Sequence, residues 1–228
     1  MLKHATRSYT NTLVNNNEKK MRIINFFKRK VTQNTKGSSN LSLWWHSELT
    51  KLERKYIIDT IKPMGVESSN HIKSKFNKPE NCEINFLNSL SGWFISSKDI
   101  PLAKKIIIHS EKYVTNNTDI FDLHFLYGKK LQIYYKDRNN SDSSLQIAIK
   151  ACNQQIDISD RAAIAFKKEY KSSTLPGHGG YYQLAIILEK NKEFNSVISL
   201  CTRAYCQGWG GDWEKRIQRC QLKISKLI

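Results

Sequence analysis

The residues best suited to chemistry are few and lie apart. Leu175-Pro176-Gly177-His178-Gly179-Gly180 stands immediately before a helix-like run that opens at Tyr181. Glycine amides, a helix N-terminus and an imidazole could together hold an anion such as a phosphate or carboxylate. The same residues also suit a plain turn between helices, with His178 capping the second, and the Lys-Ser/Thr sequel of a phosphate-binding loop is missing. Asp119, Asp122 and His124 are close enough in sequence to suggest a metal site or an acid/base pair. On a helix, however, Asp122 and His124 face different ways, and an acidic first turn is what the helix dipole favours. Five cysteines, an odd number without a Cys-x-x-Cys pair, suit neither a disulfide framework nor a zinc site. Cys201 and Cys220 fall on packing stripes, where a thiol acts as a small hydrophobe. With no paired catalytic carboxylates and no Ser/His/Asp constellation, the chain reads as non-enzymatic, with no metal or cofactor. Trp44, Trp45, Trp93, Trp209 and Trp213 could stack on nucleic-acid bases. Core packing accounts for Trp45 and Trp213 without a ligand; Trp44 is the better candidate for an exposed anchor, though a long first helix buried on two sides would consume it too.

Helices must position all of these. Leu41, Trp45, Leu49, Leu52 and Tyr56 recur at helical steps, so the spacing predicts one long helix over 41–63, stopped by Pro63 and Gly65. Residues 64–81 read as a polar connector, with Ile72 and Phe76 its main apolar side chains. From Asn81 onward helical spacing continues, broken near Ser97–Pro101, Asn116–Thr118, Arg138–Asp142, Ser172–Gly180 and Gly208–Gly211, which delimits about seven helices. No segment alternates with period two over the length of a strand, so the class is all-α.

The spacing of small and aromatic residues in this body resembles a tetratricopeptide repeat, a helix-turn-helix unit. Tyr181, Leu184, Ala185 and Leu188 match the first helix of a unit, and Phe194, Val197, Cys201 and Ala204 the second. Leu87, Leu90, Ser91 and Phe94, followed by Ala103 and Ile107, form an earlier unit. His124, Tyr127, Gly128 and Leu131 with Leu145, Ile149 and Cys152 form a middle one whose turn is lengthened. A helix over 159–170 falls outside this register, and a last helix from Gly211 caps the array. The resemblance covers roughly residues 83–228. It implies a right-handed superhelical array, preceded by the long N-terminal helix and closed by the capping helix, in a domain spanning 82–228. It also implies a concave groove lined by the first helix of each pair, where Asn85, Asn88, Lys129, Gln132, Tyr182 and Lys190 would meet a peptide or partner protein. Those side chains suit an acidic or carboxylate-bearing segment.

Charge adds a second reading. The 228 residues carry 37 Lys+Arg against 20 Asp+Glu, and nine basic residues against one acidic fall within residues 1–40. That segment is rich in Asn, Ser and Thr and reads as a mobile basic tail. Within it, Met21–Lys30 joins Ile23, Ile24, Phe26 and Phe27 to Lys28, Arg29 and Lys30. Such a piece could pack on the body, or dock on an anionic membrane surface or a partner groove. Met21 also reads as a plausible natural start. The alternative function is nucleic-acid binding through the tail and basic helix faces, or a place in a larger complex. No apolar run reaches the roughly 20 residues that span a bilayer. Cysteine usage suits a reducing setting, so the expected location is cytoplasmic.

Overall fold

Thr50 and Glu53 decide where the chain first breaks. The computed structural model describes residues 40–63, 65–76, 83–171 and 175–226. The expectations for the basic tail and for Met21–Lys30 lie outside them. The predicted long helix is two helices, α1 (Asn40–Ser47) and α2 (Lys51–Thr60). Between them stands a capping box: the Glu53 amide donates to Thr50 Oγ1 at 3.1 Å and the Thr50 amide to Glu53 Oε2 at 2.8 Å. Arg54 turns back to donate to the carbonyls of Trp45, His46 and Leu49, which closes the end of α1. The predicted polar connector likewise contains a helix, α3 (Ser68–Phe76), because Ile72 is buried and Phe76 packs on Trp45 with ring centroids 5.9 Å apart.

Eight helices follow, one more than the spacing delimits: α4 (Glu83–Ser91), α5 (Ile100–Glu111), α6 (Ile120–Lys136), α7 (Asp142–Asp157), α8 (Ser159–Tyr170), α9 (Gly179–Lys190), α10 (Phe194–Gln207) and α11 (Trp213–Ser225). Phe94, read as part of the first of these, is buried beyond its end. The division outside the five breaks is the short turn at 191–193 between α9 and α10, while a one-residue turn at Ile158 separates α7 from the expected helix over 159–170. The described residues contain no strand, and one isolated parallel bridge joins Gly177 to Gly210. The chain is all-α.

Neighbouring helices pack in pairs, α4 with α5, α6 with α7, and α9 with α10, and α11 closes against α10. Successive pairs meet through α4 on α6, α5 on α6, α7 on α9 and α6 on α9, while α8 lies against α6 and α7. Small residues allow the close approaches. Ala103, Ala148, Ala151, Cys152, Ala185, Val197, Cys201 and Ala204 are all fully buried. A Cβ at Gly128 would stand 2.9 Å from the Gln155 amide nitrogen, and one at Gly180 would stand 2.9 Å from the Cys152 carbonyl. The α1–α2 segment docks on α5 through Trp44, stacked on His109 at 4.7 Å, and through Glu48–Lys112 and Glu53–Lys105 ion pairs. Trp44, expected as an exposed anchor, is therefore core, because α5 supplies a flat ring to cover it.

At the other end Glu189 of α9 ties down the cap. It accepts both a bidentate pair from Arg219 at 2.9 Å and single bonds from Arg216 at 3.0 Å and Lys223 at 2.8 Å. Arg219 foremost, then Lys223, hold its carboxyl down at about 2 against the opposing effect of burial. Trp213 and Cys220 of α11 turn inward and Lys215, Arg219 and Lys226 outward, as the helical stripe requires.

Candidate functional site

The turn before α9 is built by pairing with the turn after α10. Gly208 ends α10 in the left-handed region at φ 88, a conformation suited to glycine. The chain then runs beside the turn: the Leu175 amide donates to the Gly208 carbonyl at 3.2 Å, and the Gly210 amide donates to the Leu175 and Pro176 carbonyls. His178, 1% exposed, caps α9, its Nδ1 accepting from the Tyr181 amide at 3.2 Å. The Gly180 amide donates to Gln155 Oε1 at 2.7 Å. The anion-binding expectation for Gly177, His178, Gly179 and Gly180 is thereby corrected. The Gly180 amide is satisfied within the protein, His178 Nδ1 is spent on the Tyr181 amide, the imidazole is buried, and burial foremost pushes His178 down to about 3, so it is neutral. Gly177 is joined to Gly210 across the bridge, and Gly179 lies exposed at the helix start.

His124 joins this cluster instead of an acidic one. Its ring stacks on Trp209 at 5.5 Å, meets Phe166 edge-on at 5.2 Å and stands 5.1 Å from His178. Burial pushes it down to about 4. Asp119 is spent capping α6, accepting from the Phe121 amide at 2.9 Å. Asp122 is half-buried and raised to about 6 by burial and then by Asp119. Among the described residues no three His, Cys, Asp or Glu gather as a metal site. Burial raises the thiols of Cys152 and Cys201 to about 12 and about 11, so both are protonated at neutral pH and poor nucleophiles.

The six expected groove residues lie on α4, α6 and α9, with unequal access. Gln132, Tyr182 and Lys190 are exposed, Asn85 and Lys129 are half-buried, and Asn88 is buried at 5% exposure. Asn88 is therefore not an open contact: it sits beneath the surface because α4 is covered on that side. Tyr182 lies under the Arg216 guanidinium at 5.4 Å, which assigns it to the α9–α11 contact. Two residues are brought together across helices. A Cβ on Gly92, just past α4, would stand only 3.4 Å from Lys129 Nζ, so Lys129 of α6 reaches across to α4 within one turn of Asn88. Its ammonium donates to Gln132 Oε1 at 3.1 Å.

Gln155, Gly92 and Glu189 were missed at the level of sequence. Gln155 bridges the Gly180 amide and the His124 carbonyl, partners 25 and 31 residues away, so no local pattern marks it. No protein-family model, curated protein or solved structure matches the chain.

Proposed function

We propose that the chain is a non-enzymatic scaffold that holds an acidic segment of a partner protein along the face of α4, α6 and α9. The observation that carries the reading is the order of packing. The first helices of the three pairs touch in order, α4 on α6 and α6 on α9, and the second helices α5 and α7 each also meet the first helix of the next pair. Such an order suits a tetratricopeptide-like superhelical stack, in which first helices line a common face. The side chains offered there are Lys129, Lys190, Gln132 and Asn85, with no acidic residue among the six expected contacts, which fits an acidic chain. Replacing Lys129 and Lys190 together by Glu should abolish capture of the cognate partner from lysate. Unchanged capture would remove the face from consideration.

One observation favours a second reading, contact with nucleic-acid phosphates. The outer side of α11 and the residue after it present a shallow groove lined by Lys215, Gln218, Arg219, Leu222, Lys223 and Lys226, with no acidic residue among them. If it binds phosphates, affinity should fall steeply with salt, and Lys215→Glu with Lys226→Glu should flatten that dependence.

A further inference from the structure

We propose that the outer strip of α11 follows the phosphates of a nucleic-acid duplex, and that Glu189 holds its two inner cations back from them. The inference deepens the second reading above and rests on it. Trp213, Arg216 and Cys220 bury one side of α11, and the side opposite is open to solvent. Lys215, Arg219, Lys223 and Lys226 follow one another at steps of four, four and three residues. An α-helix turns about 100° and rises about 1.5 Å per residue, so the four stand within about a quarter turn and span about 16 Å of the axis. With Gln218 and Leu222 they line a shallow groove of about 390 Å³. Four cations and no carboxylate in that lining call for an occupant with repeated negative charge.

What the groove lacks decides the form of the anion. Single strands are held by cations together with rings on which bases stack. This lining holds no ring, and Trp213 of α11 is 2% exposed on the opposite side. An acidic partner helix would also bring an apolar stripe, and Leu222, 63% exposed, is a lone apolar side chain among the charges. A duplex keeps its bases stacked within itself, carries about one charge per 1.7 Å of axis and is straight over the length of α11. The four cations differ in freedom. Lys215 and Lys226 pair with no carboxylate among the described residues. Arg219 and Lys223 lean toward α9, where Glu189 accepts from both and from the buried Arg216. Two N–H groups of the Arg219 fork are engaged there, so the inner pair meets a phosphate only in competition with Glu189.

The test follows binding of the full-length protein to mixed-sequence DNA and RNA duplexes by fluorescence anisotropy over a salt series. The quantity read is the slope of log K against log[salt], to which each phosphate contact contributes about 0.9. Lys215→Gln with Lys226→Gln should make the slope shallower by about 1.8, and Leu222→Lys, which adds a cation at an exposed position, should steepen it by about 0.9. Glu189→Gln should steepen it by about 0.9–1.8, as one or both inner cations turn outward. Glu189→Gln combined with Arg216→Met removes the buried charge that the single change strands, and should steepen the slope likewise. If a duplex binds with slopes that the Lys215, Lys226 and Leu222 variants leave unchanged, the strip is overturned and nucleic-acid binding belongs elsewhere on the chain. If the natural protein binds neither duplex at low salt, the second reading falls and the strip with it. A single strand held as tightly as the duplex, or poly-L-glutamate held more tightly at matched charge, overturns the duplex as occupant. A slope that both Glu189 variants leave unchanged overturns the restraint by Glu189.

Discussion

Acidification should unfold this protein through His124 and His178. The two rings stand 5.1 Å apart among Phe166, Tyr181 and Trp209, and their nearest polar groups are the Gln155 amide and the Tyr181 backbone. Among the described residues no carboxylate contacts either ring, and the charges felt at His178 are His124 first and then Arg203, both of which disfavour a proton. In the unfolded chain both histidines take up protons near 6.5, whereas in the folded protein they do so only at about 4 and about 3. The folded values are the lower ones, so the unfolded state binds more protons and stability falls as pH drops below 6.5. Because the unfolded histidines are already half protonated at 6.5, lowering the pH from 6.5 to 4.5 costs about 2 kcal/mol per histidine, about 4–5 kcal/mol together. That is comparable with the whole margin of about 5–15 kcal/mol of a typical domain. Urea unfolding followed by tryptophan fluorescence at half-unit pH steps measures it. His124→Phe keeps a flat ring against Trp209 and removes one titration, so the slope should fall by one histidine's share, about 1 kcal/mol per pH unit. His109 is also lowered to about 4, with Glu48 3.9 Å away offsetting part of its cost, and the variant separates the cluster from it. A slope below about 1 kcal/mol per pH unit in the natural protein, or one that His124→Phe leaves unchanged, would refute the reasoning.

Three further outcomes follow from the packing. Glu189→Gln strands the buried Arg216 guanidinium and frees Arg219 and Lys223, and should cost about 3 kcal/mol, read as a lower Tm and faster proteolysis at α11. Because the Glu189 carboxyl is held at about 2, its contribution is present above about 4.5 and disappears as pH falls toward 2, so the variant's deficit should shrink over that range. Gly180→Ala drives a methyl to 2.9 Å from the Cys152 carbonyl and should cost about 1–3 kcal/mol in chemical denaturation. Thr50→Ala removes the oxygen that accepts the Glu53 amide and should cost about 1 kcal/mol, with hydrogen exchange rising first in the opening turn of α2.

Periodicity and punctuation determined much by themselves. The class, the breaks from Ser97 onward, the helix over 159–170 and the inward stripe of α11 follow from apolar spacing and glycines, because a helix must bury one face whatever its neighbours are. The division at Thr50 was legible too, in the spacing of Thr50 and Glu53, but the continuous stripe from Leu41 to Tyr56 outweighed it. The polar composition of 64–81 concealed α3, whose burial depends on Ile72 and Phe76 finding partners in α1 and α2. Only the tertiary structure decided the fates of the chemically suggestive residues. Nothing local distinguishes a His178 that binds an anion from one that caps α9 beside Trp209. Nothing local separates Lys129 from Lys130 either, though a carboxylate 19 residues away answers one and not the other. A side chain's chemistry is set by what folding places within a few ångströms of it, and those neighbours come from distant parts of the chain.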